Sequence, residues 1–394
     1  MTGARANPFG SSPWPMDFGN PGNTSVASVA ASMAGQTLWS VPISSEWGYQ
    51  IVVGEDGCVF VASSDCLLAV EPDGGIRWRH RLGGGFGAPA AFADGSIVLA
   101  EDAGRRLVAR DQATGDERWS VSGEGWSLRR PTATSDGDVI QQRGSSVGGG
   151  TELCCLSFEG NPRWSYQLSQ PGGEALALNG LVLIADGSYL TGLSNEGQFQ
   201  WLANRQRFIF GDRAHDVERV IKNEHFWTPP MRLGESQIVA GCKWYEGHGI
   251  LILDLAERTV ALCGDATSMA LPFRQPLVVT PGLQPYLVGA FGTALTAFDV
   301  SGRLIFERAA PQEINNIVSD SIGNLIVSEG VSPDYWKKYK DAYNLHDSCG
   351  LLAFNPAGEQ VFRWIAPGPM AGALAVGKAG EIYCVSEGKL WAVG

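Results

Sequence analysis

Histidine is the side chain best suited to proton transfer near neutral pH, and this chain contains only five. Three of them have a carboxylate as their neighbour in sequence, as in His346-Asp347. A histidine close to a carboxylate can act as a general base or a general acid. The predicted catalytic residues are His225, His248, His346, Asp347 and Asp216. The three histidines are predicted to lie in loops, with His248 in a polar loop that begins at Lys243. The alternative at each position is an ordinary surface residue, and His80, which follows a repeated tryptophan, is predicted to be structural.

Arginine and aromatic residues form a second group, whose chemistry suits ligand binding. Paired hydrogen bonds from Arg129, Arg130 or Arg274 could hold a carboxylate or a phosphate. Aromatic residues such as Trp126 could form a wall for a flat or apolar ligand. The predicted binding residues are Trp47, Tyr49, Trp126, Arg129, Arg130, Glu174, Trp227, Arg274, Tyr245 and Tyr335. The alternatives are internal ion pairs for the arginines, with Glu174 among the partners, and ordinary packing for the aromatic residues.

A repeat must position all of these residues. A glycine followed four residues later by a large aromatic residue begins at Gly35, Gly74, Gly115, Gly160, Gly197, Gly302 and Gly358. Short apolar runs precede most of the copies, which indicates a strand, a tight turn and a second strand. A degraded copy lies at residues 250–262. The spacing of about 40 residues is typical of one four-stranded propeller blade.

The repeat predicts an all-β fold, a single eight-bladed β-propeller with four-stranded blades. Seven blades fit between residues 46 and 366. The eighth blade combines three strands from residues 371–394 with an outer strand from residues 35–42. Joining the two termini in one blade closes the ring and removes open sheet edges.

Residues 1–30 are predicted as an irregular leader because they are rich in Gly, Pro, Ser and Asn, and residues 31–394 as the propeller. Two insertions break the period, at about residues 205–227 and 330–349. In an up-and-down blade, the connections from the fourth strand to the next blade and from the second to the third strand emerge on one face. We call this the upper face and the opposite one the lower face. Both insertions fall on the upper face, where long loops on a rigid scaffold often carry function, although decoration without function is the alternative.

Composition limits the partners. The net charge of −12 argues against nucleic acid or an anionic membrane surface. No apolar run approaches the roughly 20 residues of a membrane-spanning helix. If Met1 is the true start, no secretory signal is present, and the predicted location is the cytoplasm. The eight cysteines form no C-x-x-C pair, so no metal site is predicted.

The repeat signature, together with Trp14-Pro15-Met16 and Gly19-Asn20-Pro21 in the leader, resembles the PQQ-like (quinoprotein-type) repeat proteins. The resemblance covers nearly the whole chain and implies the propeller fold. That family includes quinone-dependent alcohol dehydrogenases, an outer-membrane assembly lipoprotein and many proteins without a cofactor. In the dehydrogenases, calcium, an aspartate base, a stacking tryptophan and often a disulfide between adjacent cysteines surround the quinone. Cys154-Cys155 matches such a pair in sequence, but consecutive side chains of a strand point to opposite faces.

Three functions remain open. The leading hypothesis is an enzyme without PQQ, calcium or another cofactor, which binds a small, partly aromatic or apolar acid in the upper funnel. Its chemistry would be acid–base, of cyclase, isomerase or lyase type, as in specialised metabolism. The second hypothesis is a non-catalytic scaffold that binds a protein partner on the same rim. The third is a dehydrogenase that depends on PQQ and calcium.

Overall fold

The computed structural model describes residues 7–16, 19–20, 23–43, 49–84, 87–123, 125–144, 150–169, 173–178, 180–186, 189–204, 208–210, 225–226, 229–244, 247–263, 278–282, 285–330 and 349–394. These residues form eight β-sheets arranged as the blades of a propeller, which confirms the predicted fold. Six sheets have four strands, and blades 4 and 5 add a fifth strand to the same plan. One 3-10 turn, η1 (Asp102–Gly104), connects two strands of blade 2.

Blades 1 to 4 follow one another along the chain, each running from its inner to its outer strand. Blade 1 contains β2 (Gln50–Val53), β3 (Val59–Ala62), β4 (Cys66–Val70) and β5 (Ile76–Arg81). Blade 2 contains β6 (Ala90–Ala91), β7 (Ser96–Glu101), β8 (Arg106–Asp111) and β9 (Glu117–Ser122). Blade 3 contains β10 (Thr132–Ala133), β11 (Val139–Gly144), β12 (Thr151–Leu156) and β13 (Pro162–Gln167). Blade 4 contains β14 (Leu176–Leu178), β15 (Leu181–Asp186), β16 (Tyr189–Ser194), β17 (Phe199–Ala203) and β18 (Phe208–Phe210).

The remaining blades close the ring. Blade 5 contains β19 (His225–Phe226), β20 (Met231–Arg232), β21 (Gln237–Trp244), β22 (Gly247–Asp254) and β23 (Thr259–Cys263). Blade 6 contains β24 (Val278–Val279), β25 (Tyr286–Phe291), β26 (Ala294–Asp299) and β27 (Leu304–Ala309). Blade 7 contains β28 (Ile314–Ser319), β29 (Leu325–Glu329), β30 (Gly350–Phe354) and β31 (Gln360–Ile365). Blade 8 contains β32 (Met370–Val376), β33 (Ile382–Ser386), β34 (Lys389–Val393) and, as its outer strand, β1 (Thr37–Pro42), so the predicted closure by both termini is confirmed.

Burial explains the order of strands within a blade. The second strand of blade 2, β7, is buried at every position, because neighbouring blades cover both of its faces. The outer strand β9 is exposed or half-buried at every position. Apolar runs therefore fill the middle of the ring, and the charged and aromatic strands that follow each repeat glycine form its outside.

The repeat residues join one blade to the next. Gly160 adopts a φ of +85°, which glycine reaches without strain. The indole of Trp119, from the preceding blade, covers this glycine so closely that a methyl group there would lie 2.8 Å from the ring. Trp119 Nε1 also donates to the Phe158 carbonyl at 2.7 Å. The same packing joins Trp39 to Gly74, Trp78 to Gly115, Trp164 to Gly197, Phe306 to Gly358 and Phe362 to Gly35. The repeat is therefore a joint between blades as well as a marker of each blade.

The joint changes between blades 4 and 5. Trp201 packs edge-to-face against Phe208 of β18, with ring centroids 5.0 Å apart. The strand β18 pairs with the outer edge of β17, so the insertion predicted at residues 205–227 begins with an extra strand of blade 4. Its last described residues form β19, the inner edge of blade 5.

The predicted placement of His225 and His248 in loops is wrong. His225 lies in β19, and His248 lies in β22. The long hairpin of β21 and β22 continues in register to the pair Trp244 and Gly247, beyond the point where polar residues predicted a loop. Cross-strand hydrogen bonds of this hairpin therefore outweigh the local polar pattern.

The described parts of the leader and of the chain just after it, residues 7–16, 19–20 and 23–32, cross the lower end of the channel. The Trp14 carbonyl accepts from Val53 N of blade 1 at 2.7 Å, and Ser319 of blade 7 exchanges 2.8 Å backbone hydrogen bonds with Ser25 and Ala27. Similar bonds join Pro15 to Ala91, Thr24 to Val279, and Ser32 to Gly380. The buried side chains include Phe9, Trp14 and Met16. The leader is packed into the ring and closes its lower end.

Candidate functional site

The leader gives the predicted upper funnel a floor, and the side chain of Asn23 connects this floor to two blades. Asn23 is fully buried, and its side-chain amide donates to the Pro230 carbonyl of blade 5 at 2.9 Å. Arg130, at the entry to blade 3, donates to the Asn23 side-chain oxygen and to Met16 Sδ at 2.7 Å. Arg130 was predicted to bind a ligand; in the structure these guanidinium nitrogens hold the leader, and a ligand role stays a prediction.

Arg129 occupies the adjacent position on the upper rim. Its Nη1 lies 3.2 Å from Glu174 Oε2, at the entry to blade 4. The Arg129 side chain is 51% exposed and that of Glu174 is 14% exposed. This is the internal ion pair that the sequence left open as an alternative. Ion pairs at such exposure contribute about 0–1 kcal/mol, so a ligand carboxylate could compete for Arg129.

The two described members of the predicted aromatic wall pack inside the protein. Trp126 is buried, and the Arg143 guanidinium lies 5.3 Å from the centroid of its ring. Tyr49 is buried in the core cluster shared by blades 1 and 8. Both side chains pack inside the protein, which agrees with the alternative of ordinary packing, and a ligand role for either residue stays a prediction.

Blade 5 brings two of the predicted catalytic histidines into one row. The register of the sheet places His225 opposite Lys243, and Lys243 opposite His248. Adjacent strands are about 5 Å apart, so the Cα atoms of the two histidines are separated by roughly 10 Å. The row lies at the upper end of the blade, with His225 on the innermost strand. Sequence reasoning missed Lys243, and only the pairing of three strands identifies it.

The other predicted site residues lie outside the described residues. They are Trp47, Asp216, Trp227, Tyr245, Arg274, Tyr335, His346 and Asp347. The insertion predicted at residues 330–349 is described only at its ends, Gly330 and Cys349. The roles given to these residues stay predictions.

Two buried carboxylates that the sequence analysis passed over end second strands on the upper side. Glu101 accepts hydrogen bonds from Arg110 Nε and Nη2 at 2.6 and 2.8 Å, and both side chains are almost completely buried. Glu329 accepts from Arg363 at 2.9 Å and from the Gln312 backbone at 3.1 Å. The sequence signal that could have identified both carboxylates is an acidic residue at the end of an apolar run. Both carboxylates are engaged within the fold, which favours a structural role.

All eight cysteines are buried and carry free thiols. Burial raises the pKa of Cys154 and of Cys155 to about 12, so both remain protonated near neutral pH. Cys154 packs in the core shared with blade 2, whereas Cys155 packs in the core shared with blade 4. The two thiols therefore lie on opposite faces of β12, and they do not fit the adjacent disulfide that the resemblance implies.

Two kinds of site are absent from the part of the chain that the structure describes. No cluster of three or more histidine, cysteine or acidic side chains has a geometry that could hold a metal ion. No helix in it is long and apolar enough to cross a membrane. The cytoplasmic location and the absence of a cofactor stay predictions.

Comparison with protein families confirms the resemblance in the repeat. Residues 22–175 match the family model described as outer membrane protein assembly factor BamB. The matched segment contains the closing strand β1 and the whole of blades 1 to 3. No curated protein matches the chain significantly.

Solved structures confirm the same propeller. BamB from Moraxella catarrhalis is 17% identical with a TM-score of 0.61, and the alignment covers 91% of this chain and 97% of BamB. The quinohemoprotein alcohol dehydrogenase ADHIIG from Pseudomonas putida HK5 is 12% identical, with a TM-score of 0.65 and coverage of 94% and 75%. The corresponding enzyme from Comamonas testosteroni is 12% identical, with a TM-score of 0.64 and coverage of 98% and 80%. These identities establish the fold, and function has to be argued from the site.

Proposed function

We propose that this PQQ-like propeller binds a small organic acid at the upper end of its channel and catalyses proton transfer on it. The observation that carries the proposal is the row of His225, Lys243 and His248 across three strands of blade 5. This pairing places three residue types suited to acid–base chemistry side by side on neighbouring strands.

The residue types in the row suit acid–base chemistry. In general, an ammonium group disfavours a second positive charge nearby and so favours a neutral imidazole that can accept a proton. A lysine can also stabilise the negative charge that develops when a proton leaves carbon. One histidine would remove a proton and the other would return it, as an isomerase or a cyclase requires. No step in this scheme needs a quinone or a metal.

The rim offers a partner for the acidic group of such a substrate. Arg129 is half exposed on the same face, and its exposed pairing with Glu174 is easily displaced. The leader supports the proposal because it gives the channel a floor below this rim.

Deuterium exchange tests the proposal without a known substrate. The protein is incubated in D2O with a panel of small aromatic and aliphatic carboxylic acids, and mass spectrometry measures deuterium gained at carbon. We expect at least one acid to exchange, and His225→Asn or His248→Asn to slow the exchange by about 100-fold or more.

A matched control is His80→Asn, on the outer strand of blade 1. It should leave the exchange rate unchanged. Equal exchange in wild type and in both row variants would reject the roles of the two histidines, and no exchange with any acid would reject the chemistry.

A second candidate is a non-catalytic scaffold. The comparison with BamB favours it, since that chain is described as an assembly factor and is covered over 97% of its length. A protein segment would then bind on the upper rim. Crosslinking from a photoreactive residue at position 129 would test this binding. A crosslinked partner protein, together with no deuterium exchange into any of the acids, would favour the scaffold over the enzyme.

A further inference from the structure

A cavity separate from the upper funnel lies on the lower face, between blades 2 and 3. It has a volume of 640 Å³, which is in the usual range for small-molecule sites. Phe92, Trp119 and Phe158 line it on the aromatic side. Phe92 packs against Phe9 of the leader at 5.1 Å, and Trp119 donates to the Phe158 carbonyl at 2.7 Å. The aromatic walls are therefore held by the leader and by the blade joint.

In blades 1 to 3 an arginine precedes the repeated tryptophan, and this arginine explains the polar side of the cavity. In blade 1, Arg77 donates to both oxygens of Glu71 at 2.8 Å. In blade 2, Arg118 Nη2 donates to Asp111 at 2.8 Å. In both blades the carboxylate opens the turn before the repeat glycine and neutralises the arginine.

Blade 3 breaks this pattern. Ser157 opens its turn, as shown by the hydrogen bond from Ser157 N to the Asn161 carbonyl at 2.7 Å. Arg163 therefore lacks the carboxylate of the other two blades, and its side chain is 56% exposed. Arg163 Nε lies 3.7 Å from Asp138 Oδ2, which is beyond hydrogen-bonding distance. Both residues line the cavity, so it presents two opposite charges that are not joined by a hydrogen bond.

We propose that this cavity binds a zwitterion with an aromatic group, the chemistry of an aromatic α-amino acid or of a short peptide of such residues. The ligand carboxylate would pair with Arg163, which suits planar anions. The ammonium group would pair with Asp138, and the ring would pack on Trp119 and Phe158. The site is independent of the acid–base proposal, because it lies on the opposite face of the ring.

Ligand-observed NMR titration tests the site, with L-phenylalanine and the dipeptide Phe-Phe as probes. We expect a dissociation constant of about 1 mM or lower for at least one probe. Phenethylamine lacks the carboxylate and 3-phenylpropanoate lacks the ammonium group, so each should bind about tenfold more weakly than L-phenylalanine if that is the ligand. Tighter binding of Phe-Phe would assign the site to peptides, and tighter binding of L-phenylalanine to the free amino acid.

Variants locate the binding. Phe158 is 54% exposed, so Phe158→Ala should fold normally and weaken binding by about tenfold. Val300→Ala is the matched control, since Val300 is exposed and has the same place in the turn of blade 6. Arg163→Gln should remove the advantage of probes that carry a carboxylate. No binding of either probe to the wild-type protein would overturn the proposal, as would equal effects of Phe158→Ala and Val300→Ala.

Discussion

The guanidinium of Arg130 donates a hydrogen bond to the side-chain oxygen of Asn23, which lies 107 residues earlier in the chain. Both side chains are buried, and the Asn23 amide continues the contact to the Pro230 carbonyl of blade 5. A buried polar group that loses its partner costs free energy, so these bonds tie the leader firmly to blades 3 and 5. Asn23 therefore adds side-chain hydrogen bonds to the backbone bonds that hold the leader.

Removing the Asn23 side chain should loosen the leader. Asn23 has a φ of +57°, so Asn23→Gly keeps the backbone conformation accessible while it removes the acceptor of Arg130. We expect a loss of about 1–3 kcal/mol in the free energy of unfolding, and faster proteolytic cleavage within the leader. Urea unfolding and limited proteolysis measure these effects. Asn7→Gly, at an exposed position of the leader, is the control, and equal cleavage of the two variants would contradict the prediction.

Alanine substitutions at two glycines of blade 4 should distinguish the cost of crowding the blade joint from the cost of backbone strain. Gly197 and Gly180 have φ values of +75° and +88°, so alanine at either should cost about 1–2 kcal/mol. A methyl group at Gly197 would lie 2.5 Å from Trp164, whereas at Gly180 nothing lies within 4 Å. Gly197→Ala should therefore cost about 1–3 kcal/mol more than Gly180→Ala. Equal losses in urea unfolding would show that the tryptophan joint tolerates the added volume.

The pair of Glu101 and Arg110 should stabilise the protein only while both partners are present. Glu101→Met leaves a buried guanidinium without its carboxylate and should cost about 3–5 kcal/mol. The double variant Glu101→Met, Arg110→Met should recover much of that loss, because two apolar side chains of similar length need no charge partner. Unfolding free energies of the two single variants and the double variant form the cycle. Additive losses would contradict the coupling.

Buried thiols should make the protein less stable in alkali. Burial raises the pKa of Cys58 to about 12, above the ordinary thiol value of 9.0. The contribution of the protonated Cys58 thiol to the free energy of unfolding is fully present below about pH 9. It is lost as the pH rises from 9 to 12, because the thiol of the unfolded chain releases its proton first. Urea unfolding at pH 8 to 10 should show a shallower decline for Cys58→Ala than for the wild type. Identical slopes would mean that this thiol ionises equally in both states.

The sequence by itself determined the architecture and the seam between the termini. Blade 2 shows why: its apolar runs alternate with turn residues from Ser96 to Ser122, and the strands β7, β8 and β9 follow that alternation. These features depend on hydrogen bonds between strands that are close in sequence, and a local pattern is enough to specify them.

Only the tertiary structure decided which residues come together across the ring. The sequence predicts an irregular leader, yet Asn23 of this leader donates a hydrogen bond to Pro230, which lies 207 residues later in the chain. The row of His225, Lys243 and His248 follows from the register of a long hairpin, which polar residues in the sequence had hidden. The loose pairing of Arg163 with Asp138, at 3.7 Å and without a hydrogen bond, appears only when blade 3 is compared with its neighbours in space. Such contacts join residues that are distant in the chain, and their distances are set by the packing of whole blades.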